Sequence, residues 1–571
     1  MLRSSRVSAR TPSLGLLSVA LAAVGACRGG DPPPGSIGDG DDLELCVGEV
    51  EVPDEALRAL LEEILPQPEP PEDAEEEPPK VILAEELRKL PGLRAPDLGI
   101  TDLRGLECAQ SLQSLGLSGN AISDLEPLRN LPLLEELQLS GNAVTDLSVL
   151  GELTSLRILV LDGNGIEDVS PLATLTSLEY VDLGANGIAD VSPLSTLTAL
   201  TGIVLQKNEL RSIDALAEMK ALFSVDLSDN EISDLAPLAE HEALHFADLE
   251  GNAIESLAPL RAATQMVSIE ASRNALVDLE GIEGMLSLDR LVAQENAVTS
   301  TAPVDGLALL TVLDLGGNQV TSLAGVQSLV SLRRLALANN DVDDLSAVTG
   351  LPEMREIDVR NNPVTDFGPV GTLPLLGALI VGGTDVALDL SPLAGRTVFR
   401  RLSFEKGRAD SLAFLADLPS IEAVELDDTA LSAQAVDDLG LAPTLQTVKI
   451  SRTGAADLSG LAPLVLLEAL QAEDNAIPSI AVLANFPGLV QAKLAGNPLV
   501  SLAGVETLEI LTDLDVSRTT IADLDPVAAN ETFRTDDVVE ARETNLGADD
   551  CSAIAVIEER LAVVVSDVEC P

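Results

Sequence analysis

The chain has 571 residues, 46% of them hydrophobic but only 2% aromatic and none Trp, which argues against a compact core built on large rings, each able to bury roughly 150–250 Å². Its 93 acidic against 34 basic residues leave a formal charge of −59, which keeps it soluble and argues against nucleic acid as a partner, because phosphates need Lys and Arg. Basic proteins, divalent cations and cationic polymers remain.

Residues 1–26 read as a processing signal. Arg3, Arg6 and Arg10 form a positive n-region, and Leu14 to Val24 form an apolar stretch too short to span a bilayer. It ends in Val24-Gly25-Ala26-Cys27, which resembles the bacterial lipobox. The resemblance implies cleavage before Cys27 and lipidation of that residue, and several acyl chains make such an anchor stable. Arg28 follows, not the Asp that holds enterobacterial lipoproteins in the inner membrane, so the expected place is extracytoplasmic, at the outer membrane or cell surface. Residues 27–42, rich in Gly, Pro and Asp, form a flexible tether, and no later stretch is apolar and long enough for a transmembrane helix.

Residues 43–97 form an N-terminal cap. Within it "VPDEALRALLEEIL" (Val52 to Leu65) predicts an amphipathic helix with Asp54 near its start, followed by an acidic, Pro-rich insertion at 66–80. From 98 to 530 one frame repeats. Asparagine recurs at 120, 142, 164, 186, 208, 230, 252, 274, 296, 318, 340 and 362, always 22 residues apart, in units such as "LRILVLDGNGIEDVSPLATL". This frame is identified as the leucine-rich repeat, and its D-[LV]-x-P-L ending resembles the bacterial internalin-type repeat. The resemblance implies an α/β solenoid, with parallel strands on a concave face and short helical or 3-10 turns on a convex face, closed by terminal caps. In each unit the asparagine amide serves buried backbone groups, and Asp168 or its Asp and Ser equivalents cap the convex turn. The array counts about 19 repeats and is irregular at 385–455, where Thr384, Gly407, Thr429 and Thr453 replace asparagine and the spacing slips.

Residues 531–571 form a C-terminal cap, predicted as a helix and strand. Besides Cys27 the chain has Cys46, Cys108, Cys551 and Cys570. Export to an oxidising compartment makes two disulfides the expected state; connectivity is not fixed by sequence, though a cross-pairing would join opposite ends of an elongated array.

Both histidines, His241 and His245, fall in HEALH, a literal H-E-x-x-H zinc-protease pattern. That chemistry needs the two rings one turn apart on a continuous helix, whereas the repeat register puts His241 in a frame-leucine position leaving a convex turn and His245 at the start of a strand. One half-buried and one surface histidine is the reading adopted. No nucleophile, phosphate loop or third metal ligand accompanies them, so the chain reads as no enzyme and takes no cofactor, with calcium the single candidate ion.

Recognition by such repeats takes place on the concave face. There the sequence places Asp182, Asp226, Asp248 and Glu270 in one column, with Glu250 beside them and Tyr180 and Phe246 as ring anchors. Adjacent carboxylates about 4.8 Å apart repel by about 1 kcal/mol even in bulk water, so stability alone does not favour the run. The expected function is that of a monomeric, lipid-anchored envelope protein binding a protein partner that carries a basic patch; the alternative is a non-catalytic spacer or scaffold.

Overall fold

The computed structural model describes residues 46–68, 79–384, 387, 389–560 and 562–570. The signal sequence 1–26, Cys27, the tether 27–42 and most of the acidic insertion 66–80 lie outside the described residues. The chain falls into two compact units, the first ending at Asn296 and the second starting at Ala297.

In the first unit β1 (Gly92–Arg94), β2 (Ser114–Gly116), β3 (Glu136–Gln138), β4 (Ile158–Val160), β5 (Tyr180–Asp182), β6 (Gly202–Val204), β7 (Ser224–Asp226), β8 (Phe246–Asp248), β9 (Ser268–Glu270) and β10 (Arg290–Val292) form one parallel ladder. The middle residue of each strand points inward, and Leu159, Val181, Val225 and Ile269 are fully buried. The residues on either side face out.

Each strand from β2 to β10 leads to an asparagine that joins two turns. The Asn208 amide nitrogen donates to the Leu205 carbonyl of its own turn and the Leu183 carbonyl of the turn before, both at 3.0 Å, and its oxygen accepts from Ile188 N at 3.0 Å. Asn164 repeats this with Leu161, Leu139 and Val144. The chain then returns through a 3-10 turn such as Ser170–Thr174, opened by Asp168, whose Oδ1 accepts from Ser170 N at 2.8 Å; Ser212 does the same for Asp214 N at 3.1 Å. Asp and Ser interchange in this column because either oxygen can occupy the orphan donor.

Two devices close the N-terminal end. Asp54 caps the helix Glu55–Ile64, its Oδ1 accepting from Ala56 N and Leu57 N, while its Oδ2 accepts from Thr101 N at 2.8 Å and so ties helix to first turn. The Cys46–Cys108 disulfide spans 62 residues of the same region.

The second unit continues the pattern with β11 (Val312–Asp314), β12 (Arg334–Ala336), β13 (Glu356–Asp358), β14 (Ala378–Gly382) and β15 (Arg401–Glu405). A short side pair, β16 (Arg408–Ala409) with β18 (Ala430–Leu431), flanks β17 (Ala423–Glu425) and β19 (Thr447–Lys449). β20 (Ala469–Gln471), β21 (Gln491–Lys493) and β22 (Asp513–Asp515) are regular, and β23 (Val538–Ala541) and β24 (Val563–Ser566) extend the ladder, beside the helix Cys551–Glu558 and the Cys551–Cys570 disulfide.

The irregular segment has a physical origin. Between β17 and β19 the turn is the α-helix Ala433–Leu439, capped by Ser432, and an α-helix rises about 1.5 Å per residue against about 2.0 Å for a 3-10 turn, so the same span takes more residues. At 407 a side chain is excluded: a Cβ on Gly407 would lie 2.4 Å from the buried Phe404 ring, which fills the space. Thr429, in the next asparagine position, keeps one rung, its hydroxyl donating to the Phe404 carbonyl at 2.6 Å.

Removing the Asn208 amide takes one of two donors from each of two carbonyls, since Leu183 also accepts from Asn186 and Leu205 from Asn230, and leaves the buried Ile188 N–H without a partner, at about 1–3 kcal/mol. Asn208→Ala is therefore expected to destabilise the first unit by about 3 kcal/mol, and Asp190→Ala, which uncovers one exposed cap, by distinctly less. Urea midpoints followed by circular dichroism check this; equal losses in the two variants would refute the ladder's role.

Candidate functional site

The outward face of β5 to β9 carries two columns side by side. In the first, Tyr180, Gly202, Ser224, Phe246 and Ser268 follow one another; in the second, Asp182, Val204, Asp226, Asp248 and Glu270. Tyr180 is only 4% exposed and packs with Val160, Val204 and Ile158 into an apolar cluster on this face. Its ring lies over Gly202, where a Cβ would come within 2.8 Å of it. The tyrosine thus forms the floor of the face rather than a protruding anchor.

The carboxylates divide into two groups. Glu270 pairs with Arg290 at 2.5 Å, and Glu250 with Arg273 at 3.0 Å, while Arg273 also reaches Asp229 at 2.8 Å. Asp182, Asp226 and Asp248 pair with no cation among the described residues, and Asp226 and Asp248 are 2% and 5% exposed. Asp182 accepts from Gly184 N at 2.9 Å, Asp226 from the N–H and hydroxyl of Ser228 at 3.1 and 2.6 Å, and Asp248 from Glu250 N at 3.1 Å, each through Oδ1 alone. Burial, reinforced by Asp226 and the neighbouring Glu270 and Glu250 charges, pushes the Asp248 carboxyl up to about 8. Burial with the nearby Asp162 and Asp226 charges pushes Asp182 up to about 7, and burial also raises Asp226.

Phe246 belongs to a ring cluster that the sequence reading did not assemble. His245 stacks on Phe223 with centroids 4.3 Å apart, and Phe246 lies tilted against Phe223 at 5.5 Å. All three rings are half-buried at the edge of the face. Phe223 and His245 stand one repeat apart, each just before its strand, and His245 N donates to the Phe223 carbonyl at 2.8 Å. The 22-residue spacing of the two positions is the signal for this pair in the sequence.

HEALH is not helical: residues 241–245 make a turn leading into β8. His241 is fully buried, not half-buried, with Nε2 3.0 Å from the Leu216 carbonyl and Nδ1 unpartnered. Burial, then the nearby Lys220 charge, lowers its pKa. His245, with Nδ1 2.7 Å from the Ala243 carbonyl, is half-buried rather than a free surface ring. Among the described residues no three His, Cys, Asp or Glu side chains converge to hold a metal ion.

Acids of the second unit are differently placed. Asp358 is paired with Arg360 at 2.8 Å, and burial works to raise the Glu425 pKa but Arg401 and Lys449, at 2.8 and 3.1 Å, outweigh it and hold it low. A cleft of about 240 Å³ lies between Asn339, Arg360, Asn361, Gly383, Glu405 and Lys406, and its Arg360 is already shared by Asp358 and Glu405.

The raised carboxyls give a signed pH dependence. With folded values of about 7 and 8 against an ordinary 3.8, Asp182 and Asp248 hold protons in the folded chain that the unfolded chain has released. Their contribution is fully present below about pH 4 and is lost as pH rises through about 7 to 8. Asp248→Asn keeps the shape and carries no charge, so it is expected to raise the urea midpoint over the parent at pH 9 and not at pH 4. The same gain at both pH values would show that Asp248 is ionised throughout.

Comparison with known proteins bears on the family. The family model described as "Leucine Rich repeats (2 copies)" matches residues 110–152 and 154–196. No curated protein sequence matches significantly. Among solved structures, an internalin (inlF) from Listeria monocytogenes is 30% identical, with 57% of this chain and 95% of the internalin covered and a TM-score of 0.53. Internalin C2 from the same organism is 29% identical over 38% of this chain and 85% of its own, at a TM-score of 0.32. A TDR receptor, 16% identical, covers 85% of this chain and 94% of its own at a TM-score of 0.57, a likeness of fold alone. No enzymatic family is indicated. With its parallel strand ladder, asparagine rungs and an internalin matched over nearly its whole length, the chain belongs to the internalin-like leucine-rich-repeat family.

Proposed function

We propose that this protein is a lipid-anchored recognition protein of the cell envelope, binding a protein partner through the outward strand face of β5 to β9. The observation that carries the reading is the set Asp182, Asp226 and Asp248, outward-facing, paired with no cation among the described residues and beside a ring cluster. Like charges on adjacent strands oppose folding, and the bond each Oδ1 accepts from the N–H two residues on does not require a charge. The second unit shows that the same architecture can neutralise such acids, as at Asp358 and Glu425.

Several features support the cellular setting. Disulfides in both terminal regions belong to an oxidising compartment, and internalin-like relatives fit a surface or extracellular protein. The lipobox-like Val24-Gly25-Ala26-Cys27 adds the anchor, with Cys27 as the lipidated residue and the outer membrane or cell surface as destination. The protein acts as a monomer, needs no cofactor and performs no catalysis.

Site-specific photo-crosslinking in cells tests the reading. Ser228 is 7% exposed and bonded to Asp226, so the probe belongs at half-exposed Gln206 at the end of the strand face, with exposed Glu255 on the turn side as control. A discrete protein adduct from Gln206 and none from Glu255 is expected. Equal or absent adducts at both positions, with the protein folded and abundant, would favour a spacer.

A further inference from the structure

Beyond binding in general, the face of β7 and β8 carries information about what chemistry it receives. Phe246 and Asp248 lie two residues apart on one strand and therefore point to the same side. Small residues, Ser224 and Ser268, flank Phe246 on the adjacent strands, so no bulky side chain of the column covers the ring. Phe223, stacked on His245, lies tilted against it with centroids 5.5 Å apart.

Asp226 and Asp248 stand opposite each other on those strands. Both are more than nine-tenths buried, yet each uses only Oδ1 in hydrogen bonds, leaving both Oδ2 atoms without a donor. The nearby cations are engaged elsewhere: Arg273 with Asp229 and Glu250, Arg290 with Glu270. Lys207 acts on Asp226 only at a distance and makes no ion pair with it. A cation arriving here meets carboxylates that have already lost most of their water, so little further desolvation opposes the pairing.

We infer that this place on the strand face receives an Arg side chain from an extended, basic segment of the partner protein, its guanidinium against the Oδ2 atoms of Asp226 and Asp248 and its plane along the Phe246 ring. The inference rests on the recognition reading above and deepens it. Strands about 4.8 Å apart let two carboxylates share one planar fork of donors, and a guanidinium stacks on an aromatic face where an ammonium offers only a point charge. Guanidinium binding also favours the ionised form of both carboxyls, so the proton that Asp248 holds in the free chain is released on binding.

The chain's two histidines provide the readout, because His245 lies in the ring cluster and His241 is buried away from the face. The probe is a decapeptide with three Arg in a Gly/Ser background, titrated into the full chain while the imidazole resonances are followed by NMR, beside counterparts with Lys or Gln in place of Arg. The Arg peptide is expected to move the His245 signals saturably and leave His241 in place, with the Lys peptide weaker. Asp226→Asn with Asp248→Asn is expected to weaken binding at least tenfold, and Phe246→Leu severalfold, whereas Glu167→Gln with Glu255→Gln, exposed on the turn side, changes it by less than twofold. An unmoved His245, or equal weakening by the turn-side pair, overturns the inference as general attraction to an acidic chain. Equal shifts with the Gln peptide overturn the Arg assignment and leave peptide recognition by the face standing, so the two readings fail separately.

Discussion

A single amide, recurring every 22 residues from Asn120 to Asn362, sustains the architecture. A strand of three residues buries its middle side chain but leaves the chain that follows with carbonyls and N–H groups facing a dry interior, where each unpaired group carries a penalty of about 1–3 kcal/mol. Asparagine answers with two donors and an acceptor in one short side chain, linking its own turn to the turn before. Because the same amide addresses both turns, it also holds their register. Threonine at 429 supplies only a hydroxyl, and at 407 the Phe404 ring fills the space instead; both departures fall where the spacing slips.

Fixed register has an electrostatic consequence. Side chains at equivalent positions cannot drift apart, so acids in one column are held a strand spacing from each other. In the second unit Arg360, Arg401 and Lys449 stand beside such acids and answer the charge. On β5, β7 and β8 of the first unit no cation among the described residues answers them, and burial together with neighbouring negative charge raises all three carboxyls, Asp182 to about 7 and Asp248 to about 8. A rigid frame that keeps unpaired, desolvated carboxyls beside aromatic rings is prepared for a partner, since the rearrangement that would separate them is the one the ladder forbids.

HEALH shows the same frame overriding a motif. Two histidines at the protease spacing become, in a leucine-rich turn, one core residue hydrogen-bonded to Leu216 and one edge residue stacked on Phe223. Their chemistry follows from where the register places them. The buried His241 carries a lowered pKa through desolvation, and His245 becomes part of an aromatic surface that the motif gives no reason to expect.

The amino-acid sequence by itself determined the repeat, its inward leucines, its asparagine rungs and the shared column of Asp182, Asp226, Asp248 and Glu270, because all of these obey a local period of 22 residues that can be read without coordinates. It also showed where the period breaks, but not that an α-helix at 433–439 and the Phe404 ring are the reasons, since both depend on what fills the space beside the neighbouring turns. Tertiary structure alone decided which acids are compensated: Arg273 and Arg290 are close to several carboxylates in sequence register, and only side-chain direction commits them to Asp229, Glu250 and Glu270. It likewise buried Tyr180 under the face and brought Phe223 to His245, contacts set by how side chains pack across strands. Periodicity specifies the backbone position of every residue in such a ladder, whereas pairing, burial and charge state arise from distances between side chains on different turns.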